Sequence, residues 1–357
     1  MTPGAFAGER VLADARALEA LARLGAVLRA AGYDNKVIGA GSSQQRTASQ
    51  VALGYSVATT EMDSRDVDAL ARSGAVDLDH EGERLEPRFM LFALGEVLVL
   101  VPKDGGEDPG RVYFGRDSLW LADMAARLTR PGGALADLGT GAGTVAAALA
   151  SRFDSVVATE ILPRTAACAA VTFALNPRPS GAPAATVGLC DVAAGLAPGA
   201  FSLVTANPPW VPDLDREHSP ARVYAEGGST GFELPRRFIV EGANLLAPDG
   251  VMLMMALDAT WDSGERPLRS LARGLVRLGF EVHMEPTGIS EFWKGTEDRL
   301  CARFPGMRSA EHVALVVHRP ATGLPRRAAL LGQLGASGPE RTNLNSGPKT
   351  RWVASSV

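Results

Sequence analysis

The stretch Ala134-Leu135-Ala136-Asp137-Leu138-Gly139-Thr140-Gly141-Ala142-Gly143-Thr144 decides the fold. A short apolar strand runs straight into a glycine-rich turn, and an alanine-rich helix over Thr144 to Arg152 follows it. Glycines at a strand-to-helix turn let the backbone approach a nucleotide closely and leave helix N-terminal amides free to meet it. The spacing is GxGxG, not the GxGxxG of dinucleotide sites, and Asp137 stands just ahead of it. A carboxylate there repels a pyrophosphate but suits a cationic amino acid end on the nucleotide.

Outward from that turn, strand-like and helix-like segments alternate. Helix Ser118 to Leu128 precedes the strand, and strand Ser155 to Thr159, helix Pro163 to Leu175 and strands near Ala185 to Leu189 and Phe201 to Ala206 follow. Helix Leu234 to Leu246, strand Val251 to Ala256, helix Pro267 to Leu278 and strands Phe280 to Met284 and His312 to His318 complete the pattern. Regular β/α alternation predicts an open, Rossmann-like α/β sheet with helices on both faces.

Three more strand ends carry polar groups on the same edge. Glu160 lies 19 positions after Gly141, where a carboxylate would accept two ribose hydroxyls. Alone, it is equally a surface acid at a strand end. Cys190-Asp191 offers a further acceptor, for an adenine amino group or as the cap of the next turn. The fourth strand stops in Asn207-Pro208-Pro209-Trp210. Each proline fixes its own φ and restricts the residue before it, so the Asn207 side-chain oxygen and the Pro208 carbonyl can point together as acceptors. With Trp210 as a flat stacking surface, that set suits a planar NH2 group on an amide or a nucleobase.

This motif series resembles the class I S-adenosylmethionine-dependent methyltransferases of the small-domain group, which includes protein N5-glutamine, rRNA guanine-N2 and adenine-N6 enzymes. The resemblance covers roughly Arg111 to Arg319 and implies a seven-stranded sheet with its last strand antiparallel. It implies S-adenosylmethionine as cofactor and S-adenosylhomocysteine as product. Phe114, Asp117, Asp137, Gly139, Thr140, Gly141, Gly143, Thr144, Glu160, Ile161, Asp191, Val192 and Asn207 are then expected around the cofactor, with Asn207, Pro208, Pro209 and Trp210 catalytic. Tyr113 to Ser118 would close over the cofactor, and Glu226-Gly227-Gly228-Ser229-Thr230-Gly231-Phe232 is similar to the glycine pattern of the glutamine enzymes. Trp210 stands where the group more often has Tyr or Phe. Glu285 to Ala310, with Phe292, Trp293, Lys294 and Arg299, reads as an insertion over the substrate.

Ahead of this unit, residues 1–105 read as an N-terminal domain. Apolar residues at three- and four-residue spacing predict a helix from Glu9 to Ala31, and shorter helices at Arg46 to Tyr55 and Ser64 to Ser73 precede a hairpin. Three helices and a hairpin resemble a winged-helix module. A recognition helix at Ser64 to Ser73 would present Glu61, Asp63, Asp66 and Asp68 to phosphate, which favours a packing, lid or homodimer role over DNA binding. Residues 1–110 hold 11 Lys/Arg against 17 Asp/Glu, whereas residues 319–357 hold 6 against 1. The linker Lys103 to Gly110 marks the boundary of the second domain, 111–319, and a basic, flexible tail with a short helix at Arg326 to Leu334 is expected over 320–357.

Three widely spaced cysteines and five scattered histidines give no metal-ligand spacing. Met1 to Arg10 lacks the apolar core of a signal peptide and no run approaches a membrane span, so a cytoplasmic protein is expected. The acceptor stays open between a protein glutamine, a base amine of RNA or DNA, and a small molecule or peptide. A regulator that merely senses the cofactor has no use for a nitrogen clamp.

Overall fold

The computed structural model describes residues 11–12, 14–103, 112–113, 115–178, 181–183, 185–211, 226–287, 298, 300–302, 304–321 and, for backbone only, 351–354. Phe114, Phe292, Trp293, Lys294, Arg299, most of the 103–110 linker and the helix expected at Arg326 to Leu334 lie outside them.

Helices α1 (Ala15–Ala30), α2 (Ser43–Ala52) and α3 (Ser64–Ser73) open the chain. Each begins at a side-chain cap: Asp14, Ser42 in a reciprocal box with Gln45, and Asp63. Strands β1 (Val57–Ala58), β2 (Val76–Leu78) and β3 (Arg84–Pro87) form a small sheet in the order β1-β3-β2. A separate hairpin, β4 (Phe89–Leu94) and β5 (Val97–Pro102), follows.

The second unit comprises α4 (Arg116–Leu128), β6 (Ala134–Leu138), α5 (Thr144–Leu149), β7 (Ser155–Glu160), α6 (Pro163–Leu175), β8 (Thr186–Leu189) and β9 (Phe201–Ala206). It continues with α7 (Glu233–Leu245), β10 (Leu246–Trp261), α8 (Pro267–Arg277), β11 (Glu281–Pro286), β12 (Met307–His318) and β13 (Arg351–Ala354). The strand order is β11-β12-β10-β9-β6-β7-β8-β13. Strands β6 to β10 run parallel, and β12 is antiparallel to both its neighbours. Chain direction across the sheet reverses between β6 and β9, so a crevice opens beyond their C-terminal ends.

Two departures from expectation concern length and edge. Among the described residues the sheet has eight strands, not seven, because Arg351–Ala354 of the expected flexible tail pairs antiparallel with β8 and covers what would be an open edge. Strands β10 and β12 run well past the predicted ends, with pairs from Leu257↔His312 to Trp261↔Met307. Residues 307–310, read as part of an insertion, are therefore strand, and the β10–β12 ladder projects beyond the sheet as an apolar wall.

The N-terminal helices do not bury their apolar faces among themselves. Leu18, Leu21 and Leu28 of α1, Val51 of α2 and Leu70 of α3 share one core with Leu98 and Leu100 of β5 and with Cys168, Val171 and Leu175 of α6. The exposed backbone edge of β5 is satisfied by α6 side chains. Leu98 N donates to Asn176 Oδ1 at 3.0 Å, Asn176 Nδ2 donates to Leu98 O at 2.7 Å, and Leu100 N donates to Thr172 Oγ1 at 3.1 Å. Among the described residues, no helix is long and apolar enough to cross a membrane.

Candidate active site

A cavity of about 250 Å³ occupies the crevice at the β6/β9 reversal. Its floor is the glycine turn. Gly139, Gly141 and Gly143 all have positive φ, at 63°, 58° and 84°, a region that side chains disfavour. Asp137, at the end of β6, lies directly beneath them and is buried. Its Oδ2 accepts from Thr140 Oγ1 at 2.6 Å and its Oδ1 from Thr205 Oγ1 at 2.7 Å. Thr205 sits opposite Asp137 in the β6–β9 ladder, which makes that pairing automatic. Burial pushes the Asp137 carboxyl up to about 6, with the two hydroxyls and a backbone bond from Ala146 pulling the other way.

Glu160 closes β7 on the same edge. Its Oε2 accepts from Gly141 N at 3.1 Å, and its Oε1 accepts from Ile161 N at 2.8 Å and Leu162 N at 3.0 Å. Burial again raises its pKa, opposed by those three amides. Three of its roughly four acceptor positions are used, so Oε2 keeps room for one further donor. Glu160 therefore braces the glycine turn as well as facing the cavity.

Thr140, Thr144, Ile161, Asp191 and Val192 also line the cavity. The Asp191 carboxylate meets Arg237 of α7, with Nη2 to Oδ2 at 2.9 Å, and Arg237 lines the cavity beside Phe238 and Leu234. Val192 adopts a left-handed φ of 49°, and its carbonyl accepts from Thr159 Oγ1 at 2.6 Å. Burial, the first cause, together with nearby carboxylates pushes the Cys190 thiol up to about 11, so at neutral pH it stays protonated.

Asn207, Pro209, Ser118 and Tyr113 line the cavity as well. Asn207 Nδ2 donates to Asp117 Oδ2 at 2.8 Å and lies 3.4 Å from Ser118 Oγ. Asp117, expected to lie over the cofactor, does not line the cavity, and its carboxylate faces Asn207 and the Tyr113 hydroxyl instead. Trp210 also departs from its expected place as an open stacking surface. Its ring is only 9% exposed, sits among Leu257, Ala259, Leu300, Met307 and Ala310, and lies 5.4 Å from the His312 ring at a tilt of 53°. The β10–β12 projection supplies that wall, and a large ring is more stable buried against it than exposed. His312 is itself buried, which lowers its pKa to about 4 and keeps it neutral.

Sequence reasoning missed Thr205, Arg237, Phe238 and His312. Only Thr205 left a signal, as the residue two before Asn207 on a strand that pairs with β6. Arg237 and Phe238 come from a helix whose face is set by packing, and His312 depends on the β10–β12 register.

Residues 118–260 match the family model described as methyltransferase small domain. The release factor glutamine methyltransferase of Deinococcus radiodurans is 30% identical over 189 residues, which is 48% of this chain and 62% of that protein. That of Bradyrhizobium diazoefficiens is 33% identical over 135 residues, 34% of this chain and 43% of the relative. The chain thus spans less than two thirds of the length of either. Among solved structures, TYW2 of P. horikoshii in complex with MeSAdo aligns with 74% of this chain and 85% of its own at 11% identity and a TM-score of 0.42. The ribosomal protein L11 methylase of Lactobacillus delbrueckii subsp. bulgaricus aligns with 58% and 80% at 17% identity and a TM-score of 0.36. The matched residues begin after Asp117 and end before β12, so Asp117, the partner of Asn207, and the Leu300, Met307 and Ala310 part of the wall behind Trp210 lie outside them.

Proposed function

We propose that the chain is an S-adenosylmethionine-dependent methyltransferase that methylates a planar nitrogen, the side-chain amide of a protein glutamine. The observation that carries this reading is Asn207, which with Pro209 lines the same cavity as Asp137, Gly141 and Glu160. The lining suits the cofactor. Asp137 is a buried anion for a cationic amino group, Glu160 has acceptor room for a ribose hydroxyl, and Val192, Leu234 and Phe238 give an apolar bed for a base. When bound, S-adenosylmethionine would supply a methyl group on a sulfonium sulfur for transfer to the nitrogen, with S-adenosylhomocysteine as product and the nitrogen's proton lost to water. The chain's own part is positional. Acceptors at Asn207 Oδ1 and the Pro208 carbonyl engage the two N–H groups and aim the lone pair, a proximity effect that needs no strong base.

The acceptor assignment draws on the two relatives named release factor glutamine methyltransferase and on the acidic balance of residues 1–110, which disfavours nucleic acid. Its test is incubation of the full chain with methyl-labelled S-adenosylmethionine and a cell extract separated into protein, RNA and small molecules. Label is expected in protein, released as methylamine on acid hydrolysis. Label confined to RNA or to small molecules overturns the glutamine assignment while leaving the cofactor reading intact.

A further inference from the structure

We infer that Asp117 is the positioning residue that decides which way the Asn207 amide faces, an inference that rests on the nitrogen-methylation reading above. A side-chain amide has two nearly isosteric orientations, and only the one with Oδ1 toward the cavity can accept from an acceptor's N–H. An ionised carboxylate accepts and does not donate, so the group facing Asp117 Oδ2 at 2.8 Å must be the Asn207 NH2. The opposite orientation would set two oxygens against each other. Oδ1 is thereby committed to the cavity side before any substrate arrives.

Asp117 is itself held. The Tyr113 hydroxyl donates to its other oxygen, Oδ1, at 2.9 Å. The residue lies in the first turn of α4, where the N-terminal end of the helix dipole favours an anion. Ser118, next in the chain, lies 3.4 Å from the same Asn207 nitrogen. Gly115 leaves the space for this arrangement, since a Cβ built there would overlap both Asp117 Oδ1 and the Tyr113 hydroxyl. Tyr113, Gly115, Asp117 and Ser118 thus form one compact clamp on Asn207, 90 positions away along the chain for the Asp117 contact. The ring is 41% exposed, but desolvation of its hydroxyl, followed by the Asp117 charge and hydrogen bond, raises the Tyr113 phenol above its ordinary range and keeps it a donor near neutral pH.

The test uses the full chain and two independent readouts. In the first, the side-chain 15NH2 resonances of Asn207, identified by their loss in Asn207→Gln, are compared between wild type and Asp117→Ala. They are expected to move and to exchange faster with solvent in the variant. Unchanged resonances overturn the proposal whatever the activity. In the second, transfer of label from S-adenosylmethionine to the extract fraction that accepts it is measured for Asp117→Ala, Asp117→Asn, Asn207→Ala and the double variant Asp117→Ala/Asn207→Ala. Loss of one charge-assisted bond to the orienting amide predicts about a 10- to 100-fold fall in kcat for Asp117→Ala, with S-adenosylhomocysteine affinity by calorimetry held within about twofold of wild type. Asp117→Asn, which keeps one acceptor oxygen for two donors, falls between. The double variant should be no slower than Asn207→Ala alone. Additive losses, or weakened cofactor affinity equal to the loss of rate, overturn the positioning role. Full activity of Asn207→Ala instead sinks the nitrogen-clamp reading itself, so the two failures are told apart. If Asp117→Ala does not fold, Tyr113→Phe keeps the packing, removes the second anchor of Asp117 and is expected to cost a few-fold in kcat; no effect on either readout then overturns the proposal.

Discussion

Two groups of residues line the cavity, the glycine turn with its carboxylates, here the floor, and Asn207 with its neighbours, here the mouth, and they are built on different principles. At the floor, Asp137 and Glu160 are buried, and each is bonded by hydroxyls or amides of the same parallel sheet and its glycine turn. At the mouth, Asn207 is half-buried; it is bonded by the Asp117 carboxylate from outside the matched residues, lies 3.4 Å from the Ser118 hydroxyl, and is followed by an indole packed in part on Leu300, Met307 and Ala310 from beyond them. The floor is dictated by local chain geometry. The mouth is assembled from segments distant in the chain.

The sharpest way to break that contrast is to damage one end and read the other. Asn207→Ala is expected to reduce methyl transfer by at least about a hundredfold, as loss of an orienting group does, while S-adenosylhomocysteine binding by calorimetry stays unchanged. A parallel loss of binding would mean that the ends are one unit. The converse is Glu160→Ala, where loss of a bonded carboxylate should weaken S-adenosylhomocysteine binding by about 10- to 100-fold. Tight binding retained in that variant, or preferential binding of NADH, would remove Glu160 from the cofactor site.

A third test uses pH. The Asp137 carboxyl titrates near 6, above its ordinary value, because the folded protein disfavours its charge. A cationic amino group beside it favours that charge, so cofactor affinity should rise with pH up to about 6, by at most about tenfold per unit, and level off above. For stability the sign is reversed. The folded state holds the proton more tightly than the unfolded chain, so ionisation lowers stability as pH climbs from about 4 to 6. Asp137→Asn should flatten both profiles, and a slope that survives the substitution assigns the titration elsewhere. The smallest effect concerns the support of the mouth. At Gly227 an added Cβ would lie 2.6 Å from Gly231 O, 2.8 Å from Pro209 O and 2.8 Å from Trp210 Cα. Gly227→Ala should therefore cost about 1 to 3 kcal/mol, seen as a Tm lower by several degrees, with cofactor affinity preserved. Equal damage to cofactor binding would show that strain at the mouth reaches the floor.

Legibility in the sequence followed the same division. The glycine turn, Asp137, Glu160 and the parallel order of strands were readable because each depends on neighbours in the chain and on a two-residue side-chain period. Asn207 was readable because two prolines fix its surroundings. Trp210 was readable as a ring but not as a buried one, since its burial depends on β10 and β12 extending to Trp261 and Met307, a register that only the folded ladder sets. The Arg237–Asp191 pair requires the angle at which α7 crosses the sheet. The eighth strand had no local signature at all, since Arg351–Ala354 becomes a strand only by meeting the edge of β8.

Asn176 and Thr172, which hold the edge of β5 against α6, have a consequence for how the molecule comes apart. The N-terminal helices share their core with α6, and the β5 backbone has its hydrogen bonds completed by it, so neither half can melt without exposing the other's interior. Heating should then show one cooperative transition spanning both halves, and a protease should find no early cut that releases the first hundred residues as a stable fragment.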